Sequence, residues 1–213
     1  MISKRLAHVI DWVEGDVLAD IGCDHGYVCI ESIKQHKVKK AYACDIAQKP
    51  LARAQNEVRQ AHLEDTIQCL LINGMIGLPN DVDIVVIAGM GGHTIIDILE
   101  KATLYPSMRF LISPHSQAEL VREYVSSHGL VIEREQMVLD KHYYPILDCR
   151  YLQYKQDLSP FALRYGYHVE TSSDYECYLQ DQEKKLKQLV QQVPTKRKAF
   201  EKELEILQKR DTL

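Results

Sequence analysis

The sequence predicts an α/β fold: a doubly wound, mostly parallel sheet closed by a terminal antiparallel hairpin and followed by an antiparallel helical hairpin. Three observations carry this. Five short apolar runs between residues 17 and 113 close on Asp, Asn-Gly, Gly or Pro and alternate with helix-patterned segments. Two alternating segments then follow with no helix between them. Beyond Gln156 the chain turns polar, with apolar residues at helical spacing.

In chain order, Leu6, Val9, Ile10 and Val13 fall at helical spacing behind Ser3 as N-cap, and Glu14-Gly15-Asp16 breaks the helix. Residues 17–22 are a continuous apolar run ending in Asp and Gly, which a strand buried on both faces requires. A helix is expected over 27–35, a strand over 40–45, and a helix opened by Pro50 running to about His62. Strands follow at 67–72, 83–88 and 109–113, with helices to about Lys101 and from Gln117 to His128, where Gly129 stops the last. Residues 130–139 and 144–153 read as the antiparallel pair. Leu179, Leu186, Leu189, Val190 and Val193, then Phe200, Leu204 and Leu207, form two helical stripes interrupted at Pro194-Thr195.

At 213 residues the chain suits one packed domain and a small appendage, divided here as 1–156 and 157–213. A hydrophobic fraction of 46% and a charged fraction of 26% are those of a soluble globular protein. The longest apolar runs, such as Ile84 to Met90, are too short to span a bilayer, and the N-terminal residues lack a signal-peptide apolar region. A cytoplasmic protein with no membrane partner is expected. Cys23, Cys29, Cys44, Cys69, Cys149 and Cys177 include no C-x-x-C pair, so no metal is expected and the thiols read as reduced small hydrophobes. Net charge is −4, so any nucleic-acid contact needs a local basic patch. Candidate patches are Lys34, Lys37, Lys39 and Lys40; Lys196, Arg197 and Lys198; and Lys4 with Arg5; on composition alone they read as solvated helix ends.

The first strand ends Asp20-Ile-Gly22-Cys23-Asp24-His-Gly26. Ligands of doubly wound sheets bind outside the carboxyl ends of the strands, where glycine admits close backbone approach. Asp-x-Gly-x-Asp-x-Gly matches the acid-then-glycines pattern of a Rossmann-like class I methyltransferase sheet, whereas the dinucleotide G-x-G-x-x-G is absent. Asp45, followed by Ile46, lies 25 residues on, where an acid can accept from both ribose hydroxyls of an adenosine, or can cap a helix. Asn73-Gly74 ends the third strand, placed to read an adenine edge or to make a plain turn. Ala88-Gly89-Met90-Gly91-Gly92 ends the fourth, where three glycines in four positions leave room for a flat acceptor to approach. These spacings together predict S-adenosyl-L-methionine as cofactor.

Ser3-Lys4-Arg5-Leu6, Ala19-Asp20-Ile21-Gly22-Cys23-Asp24-His25-Gly26-Tyr27 and Ile87-Ala88-Gly89-Met90-Gly91-Gly92 resemble the bacterial tRNA (adenine-N1)-methyltransferase family that modifies the adenine at position 22 of tRNA. The resemblance extends over the whole chain and departs from the family at Ser113-Pro114-His115, where Gln-Pro-Asn is usual. It implies direct in-line transfer to adenine N1, accelerated by orientation and desolvation rather than by a base. It implies a catalytic Asp24 that accepts from the adenine amino group, the alternatives being a helix cap or a contact to the cofactor's amino group. His25 then stacks on or hydrogen-bonds the substrate, or is a satisfied core histidine; Tyr27 stacks on a base, or packs in the core. Lys4 and Arg5 contact RNA phosphate, Gly91 and Gly92 face the substrate, and the tail clamps the RNA with Lys196, Arg197 and Lys198, or else packs on the body or mediates dimerisation. A monomer or weak dimer is expected. The rival readings are a small-molecule or protein methyltransferase on the same fold, and a non-catalytic cofactor-binding module that holds a protein partner.

Overall fold

The computed structural model describes residues 2–209, so Met1 and the last four residues of the expected tail lie outside the described residues. The elements are α1 (Lys4–Trp12), β1 (Val17–Ile21), α2 (Tyr27–Lys34), β2 (Lys40–Asp45), α3 (Gln48–Gln60), β3 (Ile67–Leu71), β4 (Ile84–Ala88), α4 (Gly92–Glu100), β5 (Arg109–Ser113), α5 (Ala118–Ser127), β6 (Leu130–Asp140), β7 (His142–Tyr151), α6 (Pro160–Tyr165), α7 (Ser173–Gln192) and α8 (Arg197–Gln208), with a 3-10 turn at Pro194–Lys196. One sheet of seven strands runs in the order β3-β2-β1-β4-β5-β7-β6. The first five strands pair parallel, and β7 inserts antiparallel between β5 and β6.

The sheet is covered on both faces, which explains why its central strands read as unbroken apolar runs. Side chains alternate across it. Leu18, Ala41, Ala43, Ile84 and Val86 meet Val9 and Ile10 of α1, Val13 just after it, and the apolar sides of α2 and α3. Ala19, Ile21, Cys44, Val85 and Ile87 meet Ile95 and Ile98 of α4 and Val121 and Val125 of α5. The switch point falls at β1, whose neighbours are β2 and β4, so the carboxyl ends of these three strands open together.

Two features of β6 and β7 were not visible as sequence signals. The hairpin turns on Lys141 alone, at φ 64, between paired Asp140 and His142, so β7 starts two residues before its expected position. In β6 the register shifts between Ile132 and Arg134, leaving Glu133 as an extra residue. This bulge sets Glu135 opposite Leu147, whose side chain lies on the α5 face; without it Glu135 would oppose Ile146 on the other face.

The tail packs on the body. Phe161, Tyr165, Leu179 and Leu207 form a small third core that joins α6, α7 and α8. Arg122 of α5 and Glu135 make a buried bidentate ion pair, with Nε and Nη2 donating at 2.9–3.0 Å. Arg122 Nη1 also donates to the carbonyls of Leu163 and Arg164, and Glu135 accepts from Tyr167 N. A further tie runs from Lys4 Nζ and Leu139 N to Asp174 at the start of α7, and another from the Tyr143 hydroxyl to Asp181.

Candidate active site

A cavity of about 400 Å³ opens at the carboxyl ends of β1 and β2, lined by Gly22, Asp45, Ile46, Asn73, Gly74 and Met90 together with Ile72 and Ile98. The first loop is pinned to the second strand because Gly22 N and Cys23 N both donate to the Cys44 carbonyl, at 2.8 and 3.0 Å. Gly22 sits at φ 78, and a Cβ there would collide with the terminal methyl of Met90, so glycine holds both the turn and the width of the cavity. Asp45 lines the cavity with one carboxylate oxygen accepting from Ala47 N at 2.8 Å. Ile46 is 66% exposed at the rim, an unusual exposure for an aliphatic side chain. Beneath the loop, burial first and the charge of Asp45 second push the Asp20 carboxyl up to about 7. The donor set suits an adenosine bearing a cationic chain. Asp45 offers a carboxylate acceptor at the rim, as ribose hydroxyls would require, and Ile46, Ile72 and Ile98 offer apolar walls that a flat ring would fit, with the buried Asp20 beneath the loop and outside the lining. Burial pushes the Cys23 and Cys44 thiols up, which keeps them neutral and inert.

Beside this cavity the β4–α4 and β5–α5 loops run together. His115 N donates to Met90 O at 2.8 Å, and Gly92 N to Ser116 O at 3.0 Å. Gly92 is buried, and a Cβ there would lie 2.8 Å from Gln117 O. Its glycine identity therefore serves the packing of the two loops. Gly91 bridges to Ser116. Gly89 faces a cluster that the sequence reading did not assemble. A Cβ on Gly89 would lie 3.6 Å from Arg5 Nη2 and 3.9 Å from His115 Nε2. The Arg5 guanidinium sits 4.8 Å over the Tyr144 ring, and the His115 ring is 5.2 Å from the same ring. Arg5 Nη1 is buried with no hydrogen-bond partner. Burial holds Arg5 below the usual guanidinium range, and burial together with the Arg5 charge holds His115 below the usual imidazole range. His115 carried one sequence signal, its departure from Gln-Pro-Asn. Tyr144 carried none.

Asp24 stands in a left-handed conformation at φ 45. Its carboxylate caps no helix: Gly26 is the N-cap of α2 and makes no side-chain bond there. Instead it accepts from Arg53 of α3, through Nε at 3.0 Å and through Nη2. This pair is open to solvent, with the side chains 57% and 48% exposed. His25 stacks on Tyr27 at 5.2 Å, and its Nδ1 is buried with no hydrogen-bond partner, so it is not the satisfied core histidine of one reading. Lys4, expected on RNA phosphate, is paired with Asp174 at 2.8 Å. Lys196, Arg197 and Lys198 lie exposed at the α7–α8 turn, where Arg197 pairs with Glu201. At about 1.5 Å per residue they stand roughly 30 Å along α7 from its start. Among the described residues no group of three His, Cys, Asp or Glu is arranged to hold a metal ion, and no helix is long and apolar enough to cross a membrane.

A methyltransferase domain family matches residues 2–147, a span that holds both the cofactor-sized cavity and the Arg5 cluster. The chain belongs to this methyltransferase family. It is 34% identical over 128 residues, 58% of its length, to the tRNA (adenine(22)-N(1))-methyltransferase of Bacillus subtilis (strain 168). The chain spans about half, 54%, of the length of that relative. Two solved structures cover nearly all of it. M. capricolum TrmK in complex with S-adenosyl-homocysteine is 28% identical with a TM-score of 0.86, covering 98% of this chain and 97% of that one. Streptococcus pneumoniae Sp1610 in complex with S-adenosyl-L-methionine is 28% identical with a TM-score of 0.84, covering 98% of both chains. The match includes the helical tail, so the appendage belongs to the shared architecture.

Proposed function

We propose that this methyltransferase carries a methyl group from S-adenosylmethionine to N1 of adenine 22 in tRNA. The observation that carries the reading is the pairing of two sites. A cavity of about 400 Å³ with Asp45 at its rim adjoins a cationic aromatic cluster around Gly89, both within the methyltransferase-domain match, and a tRNA (adenine(22)-N(1))-methyltransferase is 34% identical over 128 residues. When bound, S-adenosylmethionine supplies an electrophilic methyl group on a sulfonium.

The N1 lone pair of neutral adenine is already nucleophilic, so the chain needs no general base. Its residues act by orientation and by excluding water. Asp45 accepts from ribose hydroxyls, Asn73 and Gly74 border the adenine slot, and Asp20 faces the amino group of the cofactor. Asp24 accepts from the exocyclic amine of the acceptor adenine, which requires Arg53 to share or release it, and the Asp24 charge favours the cationic product. His25 and Tyr27 border the base with their stacked rings. The target adenine lies in a folded tRNA and must leave its stack to reach this site. Lys196, Arg197 and Lys198 at the tip of the tail take phosphates elsewhere on the RNA. The cytoplasm is where such a substrate resides.

The test uses unmodified tRNA with adenine at position 22, the same tRNA with guanine there, and radiolabelled S-adenosylmethionine. Label on the adenine form alone is expected. Label on neither form, with cofactor binding intact, overturns the tRNA assignment.

A further inference from the structure

We infer that Arg5 is the phosphate anchor of the acceptor nucleotide, holding a phosphate that flanks the target adenine against the Arg5–Tyr144–His115 cluster. The inference rests on the tRNA reading above and adds to it the group that each part of the nucleotide meets.

No acid pairs with the Arg5 guanidinium among the described residues: Nη1 is buried without a hydrogen-bond partner, and Nη2, on the Gly89 side, is the edge that an incoming group can meet. The acid whose charge Arg5 feels, Asp140, spends its Oδ2 on the backbone N of Arg5 at 3.1 Å rather than on the guanidinium. Its neighbour Lys4 is already paired with Asp174. The guanidinium is held in place from below by the Tyr144 ring, and Nη2 points toward Gly89 in the loop that borders the cofactor cavity. The cluster is therefore rigid, cationic and incomplete.

The chemistry at this position selects the missing group. A methyl sulfonium approaches a neutral base, and the base becomes a cation. A bare guanidinium a few ångströms away opposes that outcome. A base edge, N7 or N3, would satisfy the hydrogen bond and leave the charge uncompensated. A phosphodiester satisfies both, since its two non-bridging oxygens accept from the planar guanidinium fork and carry a full negative charge. His115 does not compete for it. Its Nε2 lies on the same side of Gly89, but burial and the Arg5 charge favour the neutral ring, which leaves the anion to Arg5 and a neutral polar edge for the base. Tyr144, His142 and Asp140 are the other titratable groups set around the pair.

The experiment is a cycle between protein and RNA. Substrates carry a neutral methylphosphonate at the phosphate 5′ or, separately, 3′ to adenine 22, with the adjoining 2′-hydroxyl methylated in both the neutral and the charged forms. Each is assayed with the unaltered chain, with Arg5→Gln and with Arg5→Lys. RNA affinity by fluorescence anisotropy and S-adenosylhomocysteine affinity are measured alongside, the latter as the check on folding. Arg5→Gln is expected to weaken RNA binding about 10- to 100-fold, the range of a hydrogen bond to a charged group, and to lower the salt slope by about one. At one of the two phosphates the methylphosphonate costs the unaltered chain the same factor and costs Arg5→Gln nothing further, and Arg5→Lys falls between. Losses that simply add at both phosphates overturn the inference, as does a fall in kcat with unchanged RNA affinity and salt slope. If Arg5→Gln fails to bind S-adenosylhomocysteine, Arg5→Lys alone decides by the same cycle. Absence of transfer by the unaltered chain overturns the tRNA reading and this inference with it, whereas transfer with additive losses overturns only this inference.

Discussion

The Arg122–Glu135 pair joins the sheet to the tail, and its removal has a calculable effect. Both side chains are 1% exposed. Desolvation pulls the Arg122 guanidinium down, but the charge of Glu135 and its hydrogen bonds outweigh this and keep it charged. Glu135→Leu leaves that charge buried and unpaired, which costs about 3–5 kcal/mol. The Tyr167 N–H loses its acceptor as well, adding about 1 kcal/mol. For a chain of this size each kcal/mol moves Tm by about 2–4 °C, so a fall of roughly 8–24 °C is expected by calorimetry. Because Arg122 also holds the Leu163 and Arg164 carbonyls, the segment from Tyr151 to α7 loosens before the sheet does. Limited proteolysis there is expected to speed up at temperatures where the far-ultraviolet signal is still native. The double variant Arg122→Met, Glu135→Leu removes both charges and recovers at least half of the loss, short of all of it because the carbonyls and Tyr167 N–H remain unpaired. A cost below about 1 kcal/mol for Glu135→Leu, or a double variant no more stable than the single, refutes the reasoning.

Two further outcomes follow from the site. Asp20 has a folded-state pKa raised to about 7, above its ordinary 3.8, so its contribution to stability is greatest below pH 4 and is lost as pH rises through 7. In the absence of ligand, Asp20→Asn is expected to gain Tm relative to the unaltered chain between pH 5 and pH 8, with a ceiling of about 4 kcal/mol from the size of the shift; calorimetry at the two pH values checks this, and a constant difference rejects it. The Asp24–Arg53 pair is exposed, so Asp24→Asn is expected to change stability by less than about 1 kcal/mol while lowering methyl transfer to tRNA at least tenfold; equal losses of stability and activity would return Asp24 to a structural role.

The parallel half of the fold was legible because burial on both faces leaves little choice of residue. Ile84 to Ala88 has to be apolar throughout, and its end has to be a turn. Gly22, Asp45, Asn73 and Gly74, expected at a cofactor, line one cavity because they lie at strand ends that chain order alone brings to one edge. The cluster around Gly89 was not legible in this way. Arg5, His115 and Tyr144 come from α1, the loop after β5 and β7, and no spacing relates them. The buried ion pair was equally hidden. No spacing relates Arg122 on a helix to Glu135 on an alternating strand, and the bulge that turns Glu135 inward is one extra residue with no glycine to mark it. Lys141 at the hairpin gives the same lesson, because a lysine at positive φ carries no turn signal.

The tail and the acceptor cluster are held by the same two segments of chain. In β7, successive side chains point to opposite faces. Tyr144 supports Arg5 on the α1 face, and Tyr143 bonds Asp181 of α7 on the other. In α1, Lys4 bonds Asp174 of α7 while Arg5 turns toward Gly89. Asp140 joins the two segments through the backbone N of Arg5, and Leu139 N joins β6 to Asp174. A shift of α7 therefore cannot occur without a change at residues 4 and 143, each one peptide away from a residue of the cluster. The basic turn of the tail lies roughly 30 Å along the same helix, so the ties at Asp174 and Asp181 fix where that turn stands relative to α1 and β7.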